Sequence, residues 1–161
     1  MTPPISLSGD ASRMQTDVIH RFLSEESYWA QGIPRETVEE SIQHSLCFGA
    51  FQGSAQVGFA RVVTDRATYA YICDVFVLPT HRGRGLSKKL VEEVNAHPDL
   101  QGLRRWGLVT QDAHGLYSRF GFQAPTTAAH LERRDPEVYT RSANRRGNPL
   151  QAAHVLSERA G

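Results

Sequence analysis

The chain has 161 residues, 40% hydrophobic and 22% charged, with 18 Lys and Arg against 17 Asp and Glu. That length gives one domain, or one domain with a tail, and enough chain to bury roughly two-thirds of its unfolded surface. A formal net charge of +1 argues against a dedicated nucleic-acid binder, and no apolar run approaches the ~20 residues of a membrane span. Cys47 and Cys73 are the two cysteines and lack metal-ligand spacing. Residues 1–10 have neither the basic nor the apolar region of a secretory signal. A reduced, cytoplasmic setting, with no membrane and no metal, is the expectation.

In chain order, residues 1–10 hold Pro3, Pro4 and Gly9 and read as a loose lead-in. Val18, Ile19, Phe22 and Leu23 set an apolar stripe at helical spacing over 16–23. Gly32-Ile33-Pro34 reads as a loop, and Pro34 suits the start of a second helix running to about His44. The character then changes. Residues 46–51, 57–63 and 68–78 are rich in β-branched and aromatic side chains, separated at Gly53-Ser54 and Asp65-Arg66, which predicts an antiparallel meander. Leu86, Leu90, Val91 and Val94 restore helical period until His97-Pro98. Residues 106–110 predict a short strand, 112–120 a short helix, Gly121 a left-handed cap, and Phe122 the start of another strand. From Asp135 the periodicity fades, which sets the domain at 1–134 and a C-terminal extension at 135–161. The arginines near it, among them Arg134, Arg141 and Arg145, read either as a basic tail that meets a partner or as a solvated terminus.

The richest stretch is 74–90. A strand stops at Pro79, a turn with Gly83 and Gly85 follows, and a helix starts near Gly85. Glycines permit unusual backbone angles and close approach, and amides at a helix start hold anions. Arg82, Arg84, Lys88 and Lys89 crowd that end, where cations oppose the helix dipole; an anionic ligand removes the conflict. A Walker loop fails on spacing. A dinucleotide fingerprint fails because Lys88 takes the third glycine's place and no acid stands at 103–108.

Arg82-Gly83-Arg84-Gly85-Leu86-Ser87 resembles the Gln/Arg-x-x-Gly-x-Gly/Ala turn of the GNAT N-acetyltransferases, with Ser87 in the last, small position. Ala113 to Phe122 is similar to that family's Ala-x-x-x-Tyr-x-x-x-Gly-Phe segment, with Tyr117, Gly121 and Phe122 in the fixed places. Thr110 stands seven residues before that Tyr, where the family often has Asn. The order of elements fits over about residues 11–131.

The resemblance implies an α/β (α+β) fold with a mixed, mostly antiparallel central sheet, flanked by helices. Its fourth and fifth strands, here 69–78 and 106–110, splay apart. It implies acetyl-CoA as co-substrate, with the pyrophosphate on the amides of Arg82, Gly83, Arg84, Gly85, Leu86, Ser87 and Lys88, and a further contact at Thr110. The pantetheine arm pairs with Phe76, Val77 and Leu78 as an added strand. Val77 supplies an amide to the oxyanion. Tyr117 matches the usual general acid; the alternative is a Tyr that only packs on the cofactor.

Strand alternation puts Ile72, Asp74, Phe76 and Leu78 on one face unless a bulge intervenes, making Asp74 the lone carboxylate among apolar neighbours. It reads either as the group that engages the amine or as a structural Asp bonded to nearby backbone. Glu25, Glu26, Tyr28, Trp29 and Ile33 fill the loop after the first helix and suit a cationic amine or an ordinary amphipathic loop. The function expected is N-acetyl transfer to a small primary amine. The rivals are a protein or peptide N-acetyltransferase and a non-catalytic acyl-CoA-binding module, against which Tyr117 argues. A homodimer is left open.

Overall fold

The computed structural model describes residues 1–141; the rest of the expected extension, 142–161, lies outside the described residues. The elements in order are β1 (Ile5–Ser8), α1 (Thr16–Arg21), α2 (Arg35–Gln43), β2 (Leu46–Gln52), β3 (Ala55–Thr64), β4 (Tyr69–Val77), α3 (Leu86–Ala96), β5 (Arg105–Leu108), α4 (His114–Ser118) and α5 (Val138–Arg141). The five strands lie in the order β1-β2-β3-β4-β5. All neighbours are antiparallel except β4 and β5, which run parallel because α3 carries the chain back over the sheet.

Helices cover both faces, since a sheet apolar on both sides must bury each. On one face Leu86, Leu90 and Val94 of α3 pack on Ala50, Val62 and Ile72. Gly58 lets α3 come this close: a Cβ there would sit 3.1 Å from the Ala50 Cβ and 3.3 Å from a Leu90 methyl. On the other face Ile19, Phe22 and Val38 of the α1–α2 layer pack on Phe59 and Phe76. The Phe22 and Phe76 rings stack at 4.0 Å.

Three expectations change. Residues 1–10 are not a loose lead-in: Ile5–Ser8 pairs with β2, from Ile5 opposite Gln52 to Ser8 opposite Gly49, and Ile5 and Leu7 reach the α3-side core. The stripe over 16–23 is not one regular helix. After Arg21 the chain widens into a π turn over Phe22–Glu26, closed by the Ser27 N–H donating to the Phe22 carbonyl at 2.9 Å. Phe122 starts no strand. Its N–H bonds back to the Tyr117 carbonyl at 3.3 Å, with Gly121 left-handed at φ 86° as expected, and its ring packs edge-on against Tyr117 and Trp106. Pro125, three residues on, has no N–H for a ladder.

An irregularity in β4 positions the candidate site residue Asp74. Cys73 pairs with Arg61 and Phe76 with Phe59, so β4 spends three steps where β3 spends two. Asp74 sits at this bulge with φ 53°, a left-handed conformation that Asp tolerates better than most residues. The extra residue breaks the alternation expected at 72–78. Ile72 faces the α3-side core and Phe76 the α1–α2 side, so Asp74 shares no common face with both.

Candidate active site

The pairing of β4 with β5 runs from Tyr69 opposite Arg105 to Ile72 opposite Leu108 and stops. β5 itself ends at Leu108, and beyond Ile72 β4 continues to Val77 paired with β3 alone, so its other edge carries no strand from the bulge onward. The Leu78 N–H donates to the Val57 carbonyl at 2.9 Å. Successive amides of an antiparallel strand alternate sides, so the Val77 N–H turns away from β3 toward the opening. The Phe76 and Val77 side chains are buried, which leaves backbone as what they offer a ligand.

After β4 a short turn, Pro79–His81, leads into the glycine pair. Gly83 and Gly85 have φ of 77° and 71°, and a Cβ on either would touch nothing within 4 Å. The backbone angle, not crowding, asks for glycine here. Gly85 is the N-cap of α3 and has no side chain to cap it, so the first-turn amides keep their affinity for an anion. Arg82 folds back and donates from Nε to the Val77 carbonyl at 3.0 Å, while Lys88 pairs loosely with Glu92 at 3.4 Å.

A cleft of about 320 Å³ opens beside the end of this pairing. It brings together Asp74 of β4, Thr110 of the β5–α4 connection and Tyr117 of α4, which are far apart in sequence. The glycine turn does not line it; along the chain the two are joined by the end of β4. Tyr28 and Trp29 of the first loop also line the cleft; Glu25, Glu26 and Ile33 of that loop do not, and Ile33 is buried in the core. Thr110 uses its hydroxyl to accept the Ala113 N–H at 3.0 Å, holding the start of α4.

Tyr117 is 7% exposed. Burial first, then nearby Tyr28 and Asp112, push its phenol up to about 12. It therefore holds its proton throughout the neutral range. Asp74 is not alone: its Oδ1 accepts from the Trp29 indole Nε1 at 2.9 Å and its Oδ2 from the Arg61 Nε at 2.8 Å. Arg61 is itself anchored on the Ser45 hydroxyl at 3.0 Å. The side chains of Arg61 and Asp74 are 17% and 9% exposed. Neither Arg61 nor its pairing was read from the sequence, although one cation in the apolar run 57–63, facing one carboxylate in the next strand, was the available signal. Cys73 also lines the cleft, and burial pushes its thiol up to about 12, so it stays a protonated strand residue.

Residues 43–124, just over half of the chain, match the family profile described as acetyltransferase (GNAT) domain. The chain belongs to the GNAT family. A GNAT-family acetyltransferase structure from Xanthomonas campestris pv. campestris is 52% identical, superposes with a TM-score of 0.83, and covers 87% of this chain and 99% of its own. A Gibberella zeae protein named as an acetyltransferase is 30% identical over 135 residues, 70% of this chain and 75% of that protein. A Clostridium acetobutylicum acetyltransferase crystallised with acetyl-CoA shares the fold, with a TM-score of 0.59 at 16% identity, covering 83% of this chain and 96% of its own. This GNAT protein is accordingly an acyltransferase. Among the described residues, no helix is long and apolar enough to cross a membrane, and no group of three or more His, Cys, Asp and Glu is arranged to hold a metal.

Proposed function

We propose that the protein transfers an acetyl group from acetyl-CoA to the primary amine of a small molecule by direct attack, in a catalytic unit spanning 1–134. The observation that carries this reading is that Tyr117 and Asp74 face one cleft at the level where β4 leaves β5. A cleft of about 320 Å³ suits a small acceptor.

The amides of residues 82–88 hold the pyrophosphate of the co-substrate, supported by the left-handed glycines and the uncapped start of α3. Phe76, Val77 and Leu78 offer the edge of β4 that no strand covers to the pantetheine arm, where Arg82 already holds the Val77 carbonyl, and Thr110 flanks it from the β5 side. Asp74 receives the acceptor as its ammonium and helps it become the neutral amine that attacks. The N–C bond forms while the Val77 N–H donates to the carbonyl oxygen as it gains charge. The C–S bond then breaks, Tyr117 donates its proton to the departing sulfur, and the proton shed by the new amide nitrogen restores the phenol. A phenol near 12 is a weaker acid than a thiol near 8.5, so this transfer runs uphill by itself and is completed by the return of the nitrogen's proton to the phenol.

The test is turnover with acetyl-CoA, reading free thiol, against a panel of small primary amines and of peptides with free lysines or N-termini. Small amines as the better acceptors support the reading. Preference for peptides overturns the acceptor class, and acetyl-CoA binding without turnover on any acceptor overturns the activity.

A further inference from the structure

Two of the donors that hold Asp74 are of unequal kind. Arg61 comes from the adjacent strand, is mostly buried and is anchored a second time on Ser45. Trp29 comes from the loop between α1 and α2, is 36% exposed, and reaches the carboxylate only with its indole N–H. Its ring leans on Phe22 at 6.3 Å and meets Tyr28 edge-on at 5.0 Å. Tyr28 in turn accepts the Gln111 N–H on its hydroxyl at 3.2 Å. The loop thus straps the cleft, tied to β4 through Trp29 and to the β5–α4 connection through Tyr28.

We propose that Trp29 is a stand-in donor and a selectivity filter: a protonated primary amine enters by displacing its indole N–H from Asp74 Oδ1, while Arg61 keeps Oδ2. This rests on the cleft being the acceptor site. The exchange replaces a neutral donor on a carboxylate by a charged one, and charge-assisted bonds of that kind are roughly twice as strong as neutral ones. A neutral alcohol of the same shape brings a donor no better than the indole and has nothing to gain. The filter therefore selects charge before the chemistry begins. The exposed faces of Trp29 and Tyr28 then offer a wall to a flat, apolar body carried by that amine. The acceptor class is a cationic primary amine on an aromatic or compact apolar frame.

The probe is phenethylamine hydrochloride, with phenethyl alcohol as its neutral counterpart. The chain has two tryptophans, so a nitrogen-15 spectrum shows two indole signals, and Trp29→Phe identifies one of them by its loss. With CoA present, the amine should move the Trp29 signal toward its position in Asp74→Asn, and the alcohol should leave it in place. Trp29→Phe keeps an aromatic side chain and removes the competing N–H, so KM for phenethylamine should fall by about fivefold with kcat within about twofold. Thiol release from acetyl-CoA with phenethylamine as acceptor, an unmoved Trp29 signal and an unchanged KM in Trp29→Phe together overturn the inference and spare the proposed activity. A moved signal with no thiol release does the reverse. Neither signal change nor thiol release overturns both.

Discussion

Replacing Tyr117 by Phe isolates one proton. The ring is 7% exposed and packs edge-on against Phe122 at 6.0 Å, contacts that Phe retains, so the fold should lose less than about 1 kcal/mol. The loss should appear in kcat, by roughly 10²–10⁴-fold, or about 2.7–5.4 kcal/mol of transition-state stabilisation, with acetyl-CoA affinity nearly unchanged. The pH behaviour gives a second reading. With the phenol near 12, its acid form persists well into the alkaline range. The wild-type kcat should show no descending limb between neutral pH and about pH 10 from this group. Stability follows the same shift. The folded-state value lies above the ordinary 10, so the contribution is fully present below 10 and is lost as pH rises from 10 toward about 12. Tyr117→Phe should therefore melt with a shallower alkaline decline in that window. Stopped assays with a good acceptor, calorimetric binding of acetyl-CoA and melts across pH cover all three. Equal turnover of the two proteins would reduce Tyr117 to packing and remove it from the mechanism.

Asp74→Asn keeps the shape but removes the charge facing Arg61, and should cost about 2 kcal/mol of stability in a melt. If Asp74 serves as base, kcat should fall and the acidic limb of its profile should shift; if it holds the cation, KM should rise with kcat less affected. Unchanged activity per folded molecule would make it purely structural. Gly85→Glu should abolish acetyl-CoA binding, expected at a micromolar Kd or about −8 kcal/mol in the wild type, by bulk, by repulsion and by a residue forced to φ 71°. Calorimetry showing wild-type affinity would move the pyrophosphate elsewhere. Gly58→Ala should lower Tm by overpacking Ala50, Leu90 and the Phe76 carbonyl, at about 1–3 kcal/mol; an unchanged melt would mean that these neighbours yield freely.

The meander and α3 were legible because their apolar residues repeat at the period of their own element, and the glycine turn because Gly83 and Gly85 are asked for by backbone angle. Ile5–Ser8 was not, since four residues after two prolines carry too little pattern; only the exposed edge of β2 makes a strand of them. The widened turn at Phe22–Glu26 keeps its apolar residues near helical spacing, so periodicity alone does not reveal it. The surroundings of Asp74 were hidden for a sharper reason. One extra residue in a strand reverses every side chain beyond it, and nothing in the identities of Asp74 and Val75 marks where the insertion falls. The pairing with Arg61 was nearer to hand, because two opposite charges in adjacent apolar strands seldom stay apart.

The left-handed backbone at Asp74 also restricts which substitutions are informative there. Asp and Asn visit that conformation at little cost, whereas most other side chains incur about 1–2 kcal/mol. Position 74 is thus selected twice, by its charge and by its φ. A lengthening to Glu preserves the acid yet strains the chain, and a truncation to Ala removes the carboxylate and strains it as well. Natural or engineered variation at this site should be confined to Asp, Asn and Gly, and of these the exchange of Asp for Asn changes the chemistry while keeping the side chain's shape and leaving the bulge at rest.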